Sequence, residues 1–253
     1  MRIVKIGGRA QNDPRLAPAI AAAWNQAPSS LCLVHGGGDG ISELQRALGL
    51  EPAFAGGRRV TSEGDIDAVR MALSGSANKL LVARLISAGV SAIGISGEDA
   101  ALIAARAVDQ ATLGCVGAPE RVDVRLLHHL LKGGYLPVLS PLSRDIDSLA
   151  GRALNVNGDD AASAIAVALG ASELLFVADV PGVMVDGEVM PLLDAESTDA
   201  WIERGVATGG MAAKLQAAAA ALGRGVERVR IGDIQAILDP AAGTTLVPSR
   251  SFA

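Results

Sequence analysis

Two short apolar runs, Val4-Lys5-Ile6 and Leu33-Val34-His35, stop abruptly in glycines, at Gly7-Gly8 and Gly36-Gly37-Gly38, and a helical pattern follows each. A strand that ends this way presents backbone N–H groups with no side chain in front of them. Glycine lets that backbone approach an anion closely, so each turn is a candidate cradle for a phosphate or carboxylate. Strand, helix, strand with short loops is the unit of a parallel sheet. A right-handed crossover then places both turns at the same carboxyl edge. The pattern asks for an α/β fold with a charged ligand held between neighbouring strand ends.

The rest of the chain extends the pattern. Asp13-Pro14 is read as a cap and first helical position, opening a helix to about residue 26; strand 31–35 and a helix to about 48 follow. Residues 51–61 are too short for another strand–helix unit and read as a β-hairpin or flap. Two helices are expected at 63–74 and 77–88, a strand at 90–97, short strands within 102–118, a helix at 123–132 and a strand at 135–140. An Ala-rich helix should run to about 169, and a strand should occupy 173–178. A hairpin at 183–190, helices at 194–204 and to about 222, a strand at 226–231, and a last helix and strand complete the reading.

Composition removes several function classes. Half of the 253 residues are hydrophobic but only 2% are aromatic, so the core must come from Ala, Val, Leu and Ile, as in helix-covered parallel sheets. The formal net charge of -5 argues against a nucleic-acid binder. No apolar run approaches the ~20 residues of a membrane span, and no leader pattern precedes the first strand. Cys32 and Cys115 match no metal spacing. A cytoplasmic protein without nucleic-acid or membrane partners is expected.

The basic residues are informative: of 22, all but Lys5, Lys79, Lys132 and Lys214 are arginine. Lysine in such a chain is expected where a compact point charge is needed, and Lys5 and Lys214 both sit beside glycine turns. Lys132 reads as a charge at a helix C-terminus. No Gly-x-x-x-x-Gly-Lys-Ser/Thr loop occurs, and Ile41 breaks a dinucleotide Gly-x-Gly-x-x-Gly signature. Arg58-Arg59 is either a solvated pair or a fork for a substrate carboxylate. Asn155-x-Asn157-x-Asp159 reads as an alternating extended segment with its three side chains on one side, or as helix capping. His35 reads as a strand-end hydrogen-bonder. Two cations, glycine cradles and one carboxylate, with no nucleophile, suit phosphoryl transfer.

Taken in order, Lys5-x-Gly7-Gly8, His35-Gly36-Gly37-Gly38, Gly57-x-Arg59-Val60-Thr61, Asn155-x-Asn157-x-Asp159, Asp179-Val180-x-Gly182 and Gly210-Met211-x-x-Lys214 resemble the amino acid kinase family. The resemblance spans almost the whole chain, including Ala77-Asn78-Lys79 and Gly114-Cys115-Val116-Gly117. It implies an open three-layer αβα sandwich with a mainly parallel central sheet. Residues 1–170 would form the substrate-binding and dimerisation lobe and 171–253 the nucleotide-binding lobe, in one continuous sheet. The branch it points to phosphorylates the side-chain carboxylate of N-acetyl-L-glutamate with ATP and Mg²⁺, in arginine biosynthesis.

Position by position, the resemblance implies that Lys5 and Lys214 stabilise the transferring phosphoryl group and that Asp159 holds the two ammonium groups. Gly8 and Gly37 would donate backbone N–H bonds. Gly36, Gly37, Gly57, Arg59, Asn155 and Asn157 would bind the acylated amino acid, Arg59 through a carboxylate. Lys5, Gly7, Asp179, Gly182, Gly209, Gly210, Met211 and Lys214 would line the nucleotide, which carries the Mg²⁺. Arg58 stands where an apolar residue is usual, and Gly158-Asp159-Asp160 replaces a more typical Ala-Asp. The strand beginning at Arg2 leaves out the extra amino-terminal helix of arginine-inhibited hexamers, so an arginine-insensitive homodimer is expected. Kinases acting on carrier-bound aminoadipate or glutamate, or on N-succinylglutamate, and a silent ligand sensor are the competing readings. Both lysines kept with Asp159 speak against the sensor.

Overall fold

The computed structural model describes residues 1–55 and 58–248. Strand β1 (Arg2–Ile6) leads through a 3-10 turn to helix α1 (Leu16–Gln26), and β2 (Leu31–His35) leads to α2 (Gly38–Ala47). The antiparallel pair β3 (Ala53–Ala55) and β4 (Arg58–Val60) forms the flap. One continuous helical run follows: α3 (Ile66–Val69), a π-helical segment (Arg70–Ala77) and α4 (Asn78–Ser87). Next come β5 (Ala92–Gly97), β6 (Ile103–Ala107), α5 (Gln110–Leu113), β7 (Val116–Val122), α6 (Arg125–Lys132), β8 (Leu136–Asp145) and β9 (Ala153–Val156). Then α7 (Gly158–Ala168) and β10 (Glu173–Val177) precede the hairpin β11 (Met184–Val185) and β12 (Glu188–Val189). The described chain closes with β13 (Leu192–Asp194), α8 (Thr198–Glu203), α9 (Gly209–Gly223), β14 (Arg228–Gly232) and β15 (Thr244–Val247).

One large sheet runs in the order β13-β15-β14-β10-β1-β2-β8-β6-β7-β9, with β5 also beside β8. β1 lies parallel between β2 and β10, pairing Lys5 with Val34 on one side and Phe176 on the other. Parallel pairing continues from β10 to β14 and from β2 to β8; β14–β15, β6–β7 and β8–β9 are antiparallel. The ten-residue β8 joins the halves, meeting β2 through Val138 and Leu139 and β6 through Arg144 and Asp145.

Because strand side chains alternate, each central strand feeds two cores. Ile3, Cys32, Val34, Leu174 and Phe176 pack with residues of α7 and α9, including Ile165, Leu215 and Ala218. Val4, Ile6, Leu31, Leu33 and Leu175 pack on the other face with Ile20 and Trp24 of α1 and Leu81 and Leu85 of α4. A fully buried side chain of this kind contributes roughly 1.5–3 kcal/mol. Alanines at the α7–α9 contact (Ala161, Ala162, Ala217, Ala218, Ala221) are all buried, and the Ser163 hydroxyl donates to the Ala217 carbonyl at 3.0 Å. Small side chains let these two helices approach closely, which brings their N-terminal turns together at the sheet edge.

Several boundaries differ from the sequence expectation for local reasons. Asp13 does not cap α1: its carboxylate takes the Arg15 N–H and guanidinium, and the helix begins at Leu16. The two helices expected at 63–74 and 77–88 are continuous, because the small residues Ser74, Gly75, Ser76 and Ala77 are absorbed in the π-helical segment instead of breaking it. Residues 192–194 form a strand before the expected 194–204 helix, and the last expected helix is a short 3-10 turn, Ile234–Ile237. Asp159 lies in α7 and not in an extended segment, so the alternation ends at Asn157.

His35, at the end of β2, is fully buried. Its Nδ1 is 2.8 Å from the Gly36 carbonyl and its Nε2 is 3.0 Å from the Asn78 amide, which also donates to the Val138 carbonyl. This network fits a neutral ring that donates from Nδ1 and accepts at Nε2. Burial, with Lys5 and Lys79 nearby, pushes the imidazole pKa down to about 4. The unfolded chain therefore binds this proton as pH falls below about 6.5 while the native state resists until about 4. Native stability is expected to drop by about 3 kcal/mol across that window from this residue alone. Urea unfolding of wild type and His35→Gln at pH 7 and pH 4 checks it: the wild-type advantage should shrink by that amount on acidification, and an unchanged difference would contradict it.

Candidate active site

The two glycine turns lie against each other. A Cβ on Gly36 would stand 3.9 Å from the Gly8 nitrogen, and one on Gly8 would stand 4.0 Å from the Gly38 nitrogen. Gly37 could accept a side chain only by displacing Leu73 Cδ1, 2.8 Å from its ideal Cβ. Gly7 serves a different purpose: its N–H donates to the Val177 carbonyl at 2.9 Å, so that donor belongs to the sheet. The Gly36 N–H likewise donates to the Ile6 carbonyl.

Lys5 leaves β1 on the face covered by α7 and reaches Asp159, Nζ to Oδ1 2.7 Å. Gly158 makes room for it, since a Cβ there would come within 3.2 Å of Lys5 Cε. Lys214, one turn into α9, meets the other oxygen, Oδ2, at 3.3 Å and the Gly210 carbonyl at 3.4 Å. Lys5 and Asp159 are both almost wholly buried. Burial disfavours the Lys5 ammonium and, with Lys214 repelling it, pushes its pKa below the usual lysine range against the pull of Asp159. For Asp159 burial works to raise the pKa, but the two lysines outweigh it and hold the carboxyl below its usual range. One carboxylate thus anchors two cations at the sheet edge. The Lys5 contact at Oδ1 is the shorter of the two and joins two nearly wholly buried groups.

A cavity of about 390 Å³ opens here, lined by Lys5, Gly36, Gly37, Arg59, Asn155, Asn157, Asp159 and Gly210 from the sequence-derived set. A second cavity, of about 540 Å³, includes Gly8 and shares Gly37 with the first. Asn157 caps α7, its Oδ1 accepting the Asp159 N–H at 2.7 Å, and the Asn155 amide donates to the Thr61 hydroxyl. Arg59 is buried under Phe54, 4.7 Å from the ring centre, and donates to the Gln45 side chain, the Gly38 carbonyl and the Ser42 hydroxyl.

The remaining sequence-derived residues are spread around this centre. Gly209 and Met211 lie in the first turn of α9 beside Gly210. Asp179 follows β10 and forms an exposed pair with Arg9, a contact of little energetic weight. Gly182 is packed tightly, with Thr244 Oγ1 and Val189 Cγ1 each 2.7 Å from its ideal Cβ. Gly57 lies outside the described residues. The motifs did not single out Phe54, Gln45 or the Asp160 partner of Arg58 as parts of this cluster; Phe54 lies in the stretch 51–61 read as a hairpin or flap.

The chain belongs to the amino acid kinase family, whose model matches residues 1–233. Among its curated relatives, an acetylglutamate kinase of Chloroflexus aurantiacus is 41% identical over 94% of this chain and 93% of its own length. One from Roseiflexus castenholzii is 42% identical over 94% of this chain and 91% of its own length. The crystal structure of a Streptococcus mutans protein superposes with a TM-score of 0.88 at 31% identity, covering 97% of this chain and 98% of that one.

Removing one member of a buried ion cluster leaves an uncompensated charge, which costs about 3–5 kcal/mol. Asp159→Asn should be the worst case, because it strands two ammonium groups; Lys5→Met should cost less, since Asp159 keeps Lys214. Urea unfolding of both variants checks the order, and a Lys5→Met protein less stable than Asp159→Asn would contradict the charge assignment.

Proposed function

We propose that this protein is an acetylglutamate kinase, transferring the γ-phosphoryl group of ATP to the side-chain carboxylate of N-acetyl-L-glutamate in arginine biosynthesis. The observation that carries the reading is the Lys5–Asp159–Lys214 cluster beside the abutting glycine turns. Relatives named acetylglutamate kinase, about 40% identical over most of the chain, support the choice of substrate.

The chemistry asks little else of the protein. A side-chain carboxylate is already ionised at neutral pH, so the nucleophile needs no general base, and buried His35, bonded through both ring nitrogens, is not required as one. One carboxylate oxygen forms a bond to the γ-phosphorus as the bond to the β-bridging oxygen breaks, and that electron pair leaves on ADP. Charge on the transferring group and leaving oxygen is what must be neutralised. Lys5 and Lys214 supply that charge, Asp159 fixes their direction, and Gly8 and Gly37 supply backbone N–H donors. Gly36, Gly57, Arg59, Asn155 and Asn157 are assigned to the acylated amino acid. Gly7 supports the nucleotide side by tying β1 to β10; Asp179, Gly182, Gly209, Gly210 and Met211 border it. The cluster's own carboxylate is held by two lysines, which suits Mg²⁺ carried on the nucleotide phosphates. Mg²⁺ bound with the nucleotide would supply further charge neutralisation there.

Residues 1–170 are assigned to the substrate lobe and 171–253 to the nucleotide lobe. Exposed Met71, Leu80 and Ile86 along the continuous helical run support a homodimer. Two free, buried thiols suit a reducing cytoplasm.

Turnover with ATP and Mg²⁺, trapping the acyl phosphate as hydroxamate, tests the reading. N-acetylglutamate should be preferred over N-succinylglutamate and free glutamate, with Lys5→Ala and Lys214→Ala each lowering kcat roughly 10²-fold or more. No turnover of N-acetylglutamate, or either variant within threefold of wild type, would refute it.

A further inference from the structure

The two arginines of β4 leave on opposite faces of the strand, as successive residues must, and both line the cavity. Arg59 turns towards α2, where Gln45, Gly38 and Ser42 already accept from both its terminal nitrogens. Arg58 turns towards α7, where its Nη2 meets Asp160 Oδ2 at 3.2 Å, a contact between residues 102 positions apart. Its other nitrogen, Nη1, is buried and has no partner among the described residues, although Arg58 lines the same cavity as Lys5 and Asp159. A buried guanidinium N–H without an acceptor is unfavourable and is relieved by an oxygen brought in by a ligand. The cavity lining sets Lys5, Arg58 and Arg59 against the single carboxylate of Asp159, so a ligand carrying negative charge suits it.

We propose that Arg58, held by Asp160, is a second substrate-binding arginine, and that its Nη1 joins Arg59 in taking the non-reacting α-carboxylate of the N-acylated glutamate. The proposal rests on the kinase reading above and adds a residue to it. The reacting carboxylate goes to the lysine cluster and the other to the flap, which fixes the substrate's direction. Asp160 positions Arg58 by joining the flap to the first turn of α7.

The test compares kcat/KM for N-acetylglutamate and for its α-carboxamide, which keeps the reacting carboxylate, in full-length wild type, R58L, R58K and D160N. Loss of a charge-assisted hydrogen bond predicts a fall of roughly 10- to 100-fold for N-acetylglutamate in R58L, carried by KM. The carboxamide should fall no more than about threefold, so the preference for acid over amide collapses. R58K should recover part of that preference, D160N should lie between wild type and R58L, and R58L/D160N should be no worse than R58L. A flap latch alone would slow both substrates equally, leaving the acid-to-amide ratio at its wild-type value, and that result would overturn the proposal. Should R58L fail to fold by circular dichroism, R58K and R58Q make the same comparison. A wild type inactive on both compounds would refute the kinase reading itself. Calorimetric titration of N-acetylglutamate and its carboxamide would then judge Arg58 alone: equal discrimination in wild type and R58K would overturn its role.

Discussion

Everything at the sheet edge depends on one carboxylate kept out of water between two ammonium groups. Burying Asp159 alone would favour its neutral form, and burying Lys5 alone would favour the free amine; each charge is tenable because the other is there. Lys214 makes the cluster net positive. A positive, preorganised centre is of little use to stability and of direct use to a reaction in which negative charge moves between oxygens.

The fold serves that centre in three ways. Parallel pairing of β1 with β2 and β10 brings Lys5 and both glycine turns to one edge. Gly158 opens the start of α7 so that Lys5 can pass, and Asn157 caps the helix so that Asp159 is presented in its first turn. The alanine contact between α7 and α9 then sets the distance from Asp159 to Lys214. Glycine and alanine thus control the geometry here, which explains how a chain so poor in aromatic residues builds a defined site.

Much of this was legible in the residues. Strands that end in glycine revealed the sheet edge, and the scarcity of lysine singled out the pair that meets at Asp159. The short flap was legible from its length. What escaped was set by packing or by distant partners. Gly7 reads as a ligand cradle, but its N–H is drawn into pairing with β10, a strand more than 160 residues later. Asn157 reads as a ligand or as a cap, and only the helix start shows the cap. The π-helical segment, Arg70–Ala77, joins two helices that the sequence reads as separate. Arg58 and Asp160 each look like an isolated departure until the fold sets them side by side.

Because the chain holds only four lysines, the charge centre can be observed directly by NMR of ¹⁵Nζ-labelled lysine. In the free protein Lys5 should titrate below the usual lysine range. Addition of N-acetylglutamate with a non-hydrolysable ATP analogue and Mg²⁺ should then shift the Lys5 and Lys214 signals while Lys79 and Lys132 stay in place. Signals from Lys5 and Lys214 that do not move when both compounds bind would contradict the account, and the cluster would then be a structural ion pair away from the reacting groups.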